Sequence, residues 1–78
     1  MVIRILGPGC KKCELTEKHV RKAVEELGLE AEIKKIQDVT EIGEMGIMQT
    51  PAVTVDGEVI VQGRVATKKE LKKKLLEQ

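Results

Sequence analysis

The stretch Val2-Ile3-Arg4-Ile5-Leu6-Gly7-Pro8-Gly9-Cys10-Lys11-Lys12-Cys13 decides how the rest of the chain is read. Its first five residues are mostly β-branched or aliphatic and stop at Gly-Pro-Gly, so they read as a buried strand running into a tight loop. A helix is expected next. From Cys13 onward, Thr16, Val20, Ala23, Val24 and Leu27 form one stripe at helical spacing, with Glu14/Lys18 and Glu17/Arg21 as favourable pairs outside it. Gly28 supplies the stop, and Leu29 is placed to fold back on Val24. The two cysteines therefore fall where a strand hands over to a helix, Cys10 near the N-cap and Cys13 in the first turn.

That position has chemical consequences. Residues three apart on a helix have Cβ atoms roughly 5–6 Å apart, so a small rotation of the first turn brings the two sulfurs into bonding range. Unpaired N–H groups, the positive end of the helix dipole and the two cations Lys11 and Lys12 all favour thiolate over thiol at the outer sulfur. Cys10 is thus the expected nucleophile and Cys13, one turn in, the resolving thiol. On spacing alone, the same Cys-x-x-Cys also fits metal handling.

Outward from this segment, Leu29–Ile36 carries Ala31, Ile33 and Ile36 among charges and reads as a strand with a wet face or an edge position. Asp38-Val39-Thr40-Glu41 has the form of a capping box, opening a short helix through about Met45 that Gly46 ends. After the loop 46–51, Ala52–Val55 and Glu58–Val61 flank Asp56-Gly57, a strong hairpin signal that Gly63 closes. Thr67-Lys68-Lys69-Glu70 is a second capping box, for a last helix with Leu71, Leu75 and Leu76 as inward candidates. The expected order is β-α-β-α-β-β-α. The first two strands, joined through a helix, should be parallel and the last two an antiparallel hairpin, giving an α/β fold with a four-stranded mixed sheet and three flanking helices in one domain over residues 1–78.

Composition narrows the function. The 78 residues carry 14 basic and 13 acidic side chains and no aromatic residue. A net charge of +1 and the lack of stacking platforms argue against nucleic-acid binding. The apolar run before Gly7 is too short for a signal-peptide core or a membrane span, so a cytoplasmic protein without a membrane partner is expected. In a reduced compartment, a pair of cysteines is more often redox-active or metal-binding than structural.

Cys-x-x-Cys after the first strand, Thr50-Pro51 leading into the hairpin, Gly63 beyond it and a final amphipathic helix together resemble the thioredoxin/glutaredoxin-like superfamily. Within it, the chain is similar to the small single-domain redox-active disulfide proteins of archaea and bacteria. The resemblance covers nearly the whole chain and implies a minimal thioredoxin-like fold. It implies thiol-disulfide exchange with protein disulfides and a disulfide reductase as partners; no cofactor is expected, nothing in the sequence demands more than a monomer, and two cysteines with one distant histidine are too few ligands for a closed metal site. It also implies a cis Pro51 facing the dithiol, with Thr50 offering main-chain groups to an extended substrate segment. Such a proline sets no N–H against the sulfurs, and Thr50 leaves its backbone free for β-type pairing.

The departures are specific. Gly9 stands where thioredoxins have an aromatic residue, Lys11-Lys12 where they have Gly-Pro, and Arg4 where many have a buried carboxylate. The sequence enters directly on the core strand, as glutaredoxins do, yet lacks their active-site tyrosine. The competing class, a soft-metal chaperone, commonly has methionine two residues before the first cysteine and a β-α-β-β-α-β order; here Pro8 holds that position. A third class is a binding protein on a redox fold whose disulfide is not turned over. Of the remaining candidates, His19 is expected to be solvated, Met45 and Met48 to fill gaps in the core rather than bind soft metal, and the lysines of residues 68–74 to form a solvated face.

Overall fold

A computed structural model describes residues 1–9 and 11–77. Strand β1 (Val2–Leu6) is followed by α1 (Lys11–Leu27), β2 (Glu32–Ile36), α2 (Val39–Glu44), β3 (Ala52–Val55), β4 (Glu58–Gln62) and α3 (Lys68–Leu76). The sheet order is β2-β1-β3-β4, with β1 parallel to β2 and antiparallel to β3, and β3 antiparallel to β4. This is the mixed sheet and element order of the minimal thioredoxin-like fold that the resemblance implied.

Alternation along β1 divides the core in two. Ile3 and Ile5, with Val53, Val55 and Val61, face Val20 and Ala23 of α1 and Leu71 and Leu75 of α3. Leu6 and Ala52 face the other way, toward Ile42 and Ile47 around α2. The period-two pleat thus sends neighbouring residues into different layers. Thr16, also fully buried, donates its hydroxyl to Lys12 O at 2.8 Å, which satisfies it within the helix.

Element ends follow their chemistry. At Gly28, with φ +65, the chain turns and Leu29 N–H donates to Val24 O at 3.1 Å, the backbone closure of a Schellman-type stop. Asp38 caps α2 through Thr40 and Glu41 N–H, and Thr67 caps α3 through Glu70 N–H. The acidic half of the second box is used differently: Glu70 forms a two-pronged pair with Arg64. At the hairpin, Asp56 (φ +49) and Gly57 (φ +89) take the left-handed conformations that a two-residue turn requires. Asp56 also ties the turn to β1, accepting from Val2 N–H at 2.8 Å through its carboxylate.

Several expectations need correction. β2 begins at Glu32 rather than Leu29, because Leu29 is taken up by the helix stop. Leu76 is 68% exposed, since the four-residue spacing of Leu71 and Leu75 sets the inward face of α3 and the next residue is turned off it. Met48 is 90% exposed and Met45 38%, while Ile42 and Ile47 fill the core position beneath α2. His19 is half-buried, and its Nδ1–H donates to Ala66 O at 2.8 Å, pinning α1 to the segment before α3.

Candidate functional site

The site gathers where β1 ends, α1 begins and the loop before β3 returns. Cys10, the expected nucleophile, lies outside the described residues. Lys11 and Lys12 open α1 on its exposed side, and Cys13 is turned inward, 6% exposed, at the head of the buried stripe Thr16, Val20 and Ala23. Helical periodicity is the reason: Cys13, Thr16 and Val20 are three and four residues apart on one face, and that face packs on the sheet.

Gly7 makes this approach possible. Its N–H continues the β1–β2 ladder by donating to Ile36 O at 2.9 Å, which fixes the backbone beside Cys13. A methyl group there would collide with the Cys13 sulfur, and its carbon would lie 3.2 Å from Cys13 Cβ and 3.9 Å from Thr50 Cβ. Gly7, Cys13 and Thr50 therefore converge on one point. The Thr50–Pro51 peptide bond is cis, and Pro51 is fully buried.

Gly63 holds that loop from the far side of the hairpin. Its N–H donates to Pro51 O at 3.0 Å, and any side chain would run into Gln49, with Gln49 Cβ 3.2 Å from the added carbon. Its φ of +80 is in the left-handed region, which favours glycine, and a side chain there would also press on Gln49. Gln62 assists, accepting from Met48 N–H at 3.0 Å.

Two hollows open beside the segment 7–9, one of them against Cys13. A cavity of about 50 Å³ beside Cys13 is lined on one side by Ile5 and Gly7 and on the other by Glu14, Lys35 and Gln37, large enough for ordered water. Lys35 is also paired with Glu17 at 3.2 Å, and Glu17 takes Arg21 at 2.9 Å. Those bonds, Arg21 first, hold the Glu17 carboxyl below its ordinary value. On the other side, Pro8, Val39, Met48 and Thr50 border an open apolar trough floored by Ile42 and Ile47.

Arg4, standing where the resemblance would have a carboxylate, is half-buried beside Lys34 and opposite Thr54, whose buried hydroxyl has no hydrogen-bond partner among the described residues. No acid is supplied there. Among the described residues, no three His, Cys, Asp or Glu side chains are grouped as metal ligands, and no helix is long and apolar enough to cross a membrane.

Of the expected site residues, Cys13, Thr50 and Pro51 come together, and Lys11 and Lys12 stand on the rim. Gly7, Gly63 and Gln49 were not foreseen as site residues. Gly63 carried a weak signal as hairpin punctuation; the crowding at Gly7 has no local signature.

Comparison with known proteins agrees with the fold. The thioredoxin-domain family profile matches residues 1–76. A thioredoxin of Methanothermobacter thermautotrophicus is 48% identical over 73 residues, covering 94% of this chain and 95% of that protein. A thioredoxin of Methanocaldococcus jannaschii is 47% identical over 75 residues, covering 96% and 86% respectively. With a matching sheet, helix order and family profile along almost its whole length, the chain belongs to the thioredoxin family.

Proposed function

We propose that the protein is a thiol-disulfide oxidoreductase that reduces protein disulfides through Cys10 and Cys13 and is itself re-reduced by a disulfide reductase. The observation that carries this reading is the inner cysteine: Cys13 is buried in the first turn of α1 with its sulfur against Gly7 and next to the Thr50-Pro51 loop. A sulfur so placed is shielded from outside reagents and serves an intramolecular partner.

In the forward direction, the Cys10 thiolate attacks one sulfur of a partner disulfide. The partner's S–S bond breaks, a mixed disulfide forms on Cys10, and the departing sulfur takes a proton. Cys13, as thiolate, then attacks the Cys10 sulfur. The Cys10–Cys13 bond forms, the second partner sulfur leaves and is protonated, and two electrons have passed to the partner. Lys11 and Lys12 favour the attacking thiolate, and Thr50 offers backbone groups to the partner's extended segment.

Trapping tests the assignment of roles. Cys13→Ser should accumulate a stable mixed disulfide with a cystine-containing protein, because the resolving attack is lost, while Cys10→Ser should form none. Accumulation by Cys10→Ser and not by Cys13→Ser would invert the roles.

A further inference from the structure

The charges of α1 are not distributed evenly around it. Two of its carboxylates are used inside the molecule: Glu17 pairs with Arg21 and Lys35, and Glu26 pairs with Lys68 at 2.5 Å and Lys72 at 3.2 Å. The outer face has no such partners among the described residues. Lys11, Leu15, Lys18 and Lys22 follow one another at four- and three-residue steps, all exposed, with Lys12 beside the first. None of these four lysines makes an ion pair among the described residues; Glu14 and Lys18, though spaced as a favourable pair, do not close one. Leu15 is 47% exposed in the middle of the stripe and, with Lys11, Glu14 and Lys18, lines an open trough.

A chain with a net charge of only +1 thus presents four lysines against two carboxylates, Glu14 and Glu25, on the face that starts at its dithiol motif, and the lysines are gathered at the end nearest that motif. We infer that this face docks the electron-transfer partner, and that the partner carries acidic residues beside its disulfide and an apolar side chain that covers Leu15. The inference rests on the redox reading above. Protein is the fitting occupant: one leucine is too little apolar surface for insertion at a membrane interface, and no aromatic side chain is present to stack on bases. Unpaired cations at the rim raise the encounter rate with an acidic partner, while the leucine supplies an anchor once the charges have aligned it.

The test uses two synthetic cystine peptides, identical except that four positions around the cystine are Glu in one and Lys in the other, each with one adjacent Leu. Reduced protein should reduce the acidic peptide about tenfold faster at low ionic strength, within the range of charge steering. The preference should collapse in about 1 M salt, where the screening length falls to about 3 Å. Lys18→Glu with Lys22→Glu should abolish or reverse the preference and leave exchange with a neutral small disulfide, hydroxyethyl disulfide, unchanged. Leu15→Ser should slow both peptides. Equal rates for the two peptides, or a preference untouched by charge reversal, would overturn the docking face while the redox reading stands. Failure to reduce the peptides and hydroxyethyl disulfide alike would overturn the redox reading and this inference with it. Sedimentation of the protein with phosphatidylserine-phosphatidylcholine vesicles, lost in the charge-reversed variant, would assign the face to a lipid surface instead.

Discussion

Replacing Gly7 by alanine should destabilise the reduced protein through one contact, the new methyl group against the Cys13 sulfur. The methyl cannot swing aside, because the Gly7 N–H is bonded to Ile36 O and its other near neighbours are the Cys13 and Thr50 Cβ atoms at 3.2 and 3.9 Å. Cys13 cannot retreat either, being on a helix face already packed on the sheet. Relief must come from shifting β1 against α1 or turning Cys13 off its rotamer, and such overpacking costs about 1–3 kcal/mol. For a domain this small, each kcal/mol lowers Tm by about 4–8 °C. Urea unfolding under reducing conditions measures the cost, and a cycle with Cys13→Ala isolates its origin. Removing the sulfur leaves only the 3.2 Å contact with Cβ, so Gly7→Ala should cost at least about 1 kcal/mol less in that background. An equal cost in both backgrounds, or a cost within about 0.5 kcal/mol of zero, would refute the claim that Gly7 is there to admit the sulfur.

Iodoacetamide near neutral pH should modify Cys10 first and Cys13 far more slowly, and Cys10→Ser should remove the fast phase; an unchanged rate in that variant would reassign the nucleophile. Replacing Lys11-Lys12 by Gly-Pro removes two cations that favour the reduced form, and should lower the reduction potential by about 30 mV for each 1.4 kcal/mol of thiolate stabilisation lost, as read by dithiol equilibration. Thr67→Ala should cost about 1 kcal/mol in thermal unfolding through loss of the α3 cap. Glu17 has its carboxyl held low in the folded state by Arg21 and Lys35, so its contribution is complete above the unfolded value near about 4.3 and is lost as pH falls through the lower folded value. Glu17→Gln should therefore be less stable than the parent at neutral pH, by no more than about 1 kcal/mol, with the gap closing in that acid range; a gap that persists to the lowest pH would assign the loss to packing.

What the sequence made legible was local. Asp56-Gly57 between two apolar runs dictates a hairpin, because few other residue pairs take two left-handed conformations in succession. The cysteines sit where a β-branched run meets Gly-Pro-Gly, so their placement at a strand-to-helix junction follows from neighbours a few residues away. The rest depended on residues remote in the chain. Nothing near Gly7 announces that Cys13 and Thr50 will close on it, and nothing near Gly63 announces Gln49. His19 reads as solvated from its own helix, since its partner Ala66 arrives only when α3 docks. Met48 reads as a gap-filler until Ile42 and Ile47 are seen to occupy that part of the core. Lys18 reads as paired from its spacing to Glu14, and spacing does not say which of two rotamers the side chains take.

The central claim, reversible two-electron exchange at Cys10 and Cys13, is tested most directly by equilibrating the purified protein in dithiothreitol buffers of defined ratio and counting free thiols. The account predicts one transition between two thiols and none, identical when approached from the oxidised or the reduced side, and absent in Cys13→Ser. Two thiols that persist across the whole range, or a transition that survives in Cys13→Ser, would contradict it.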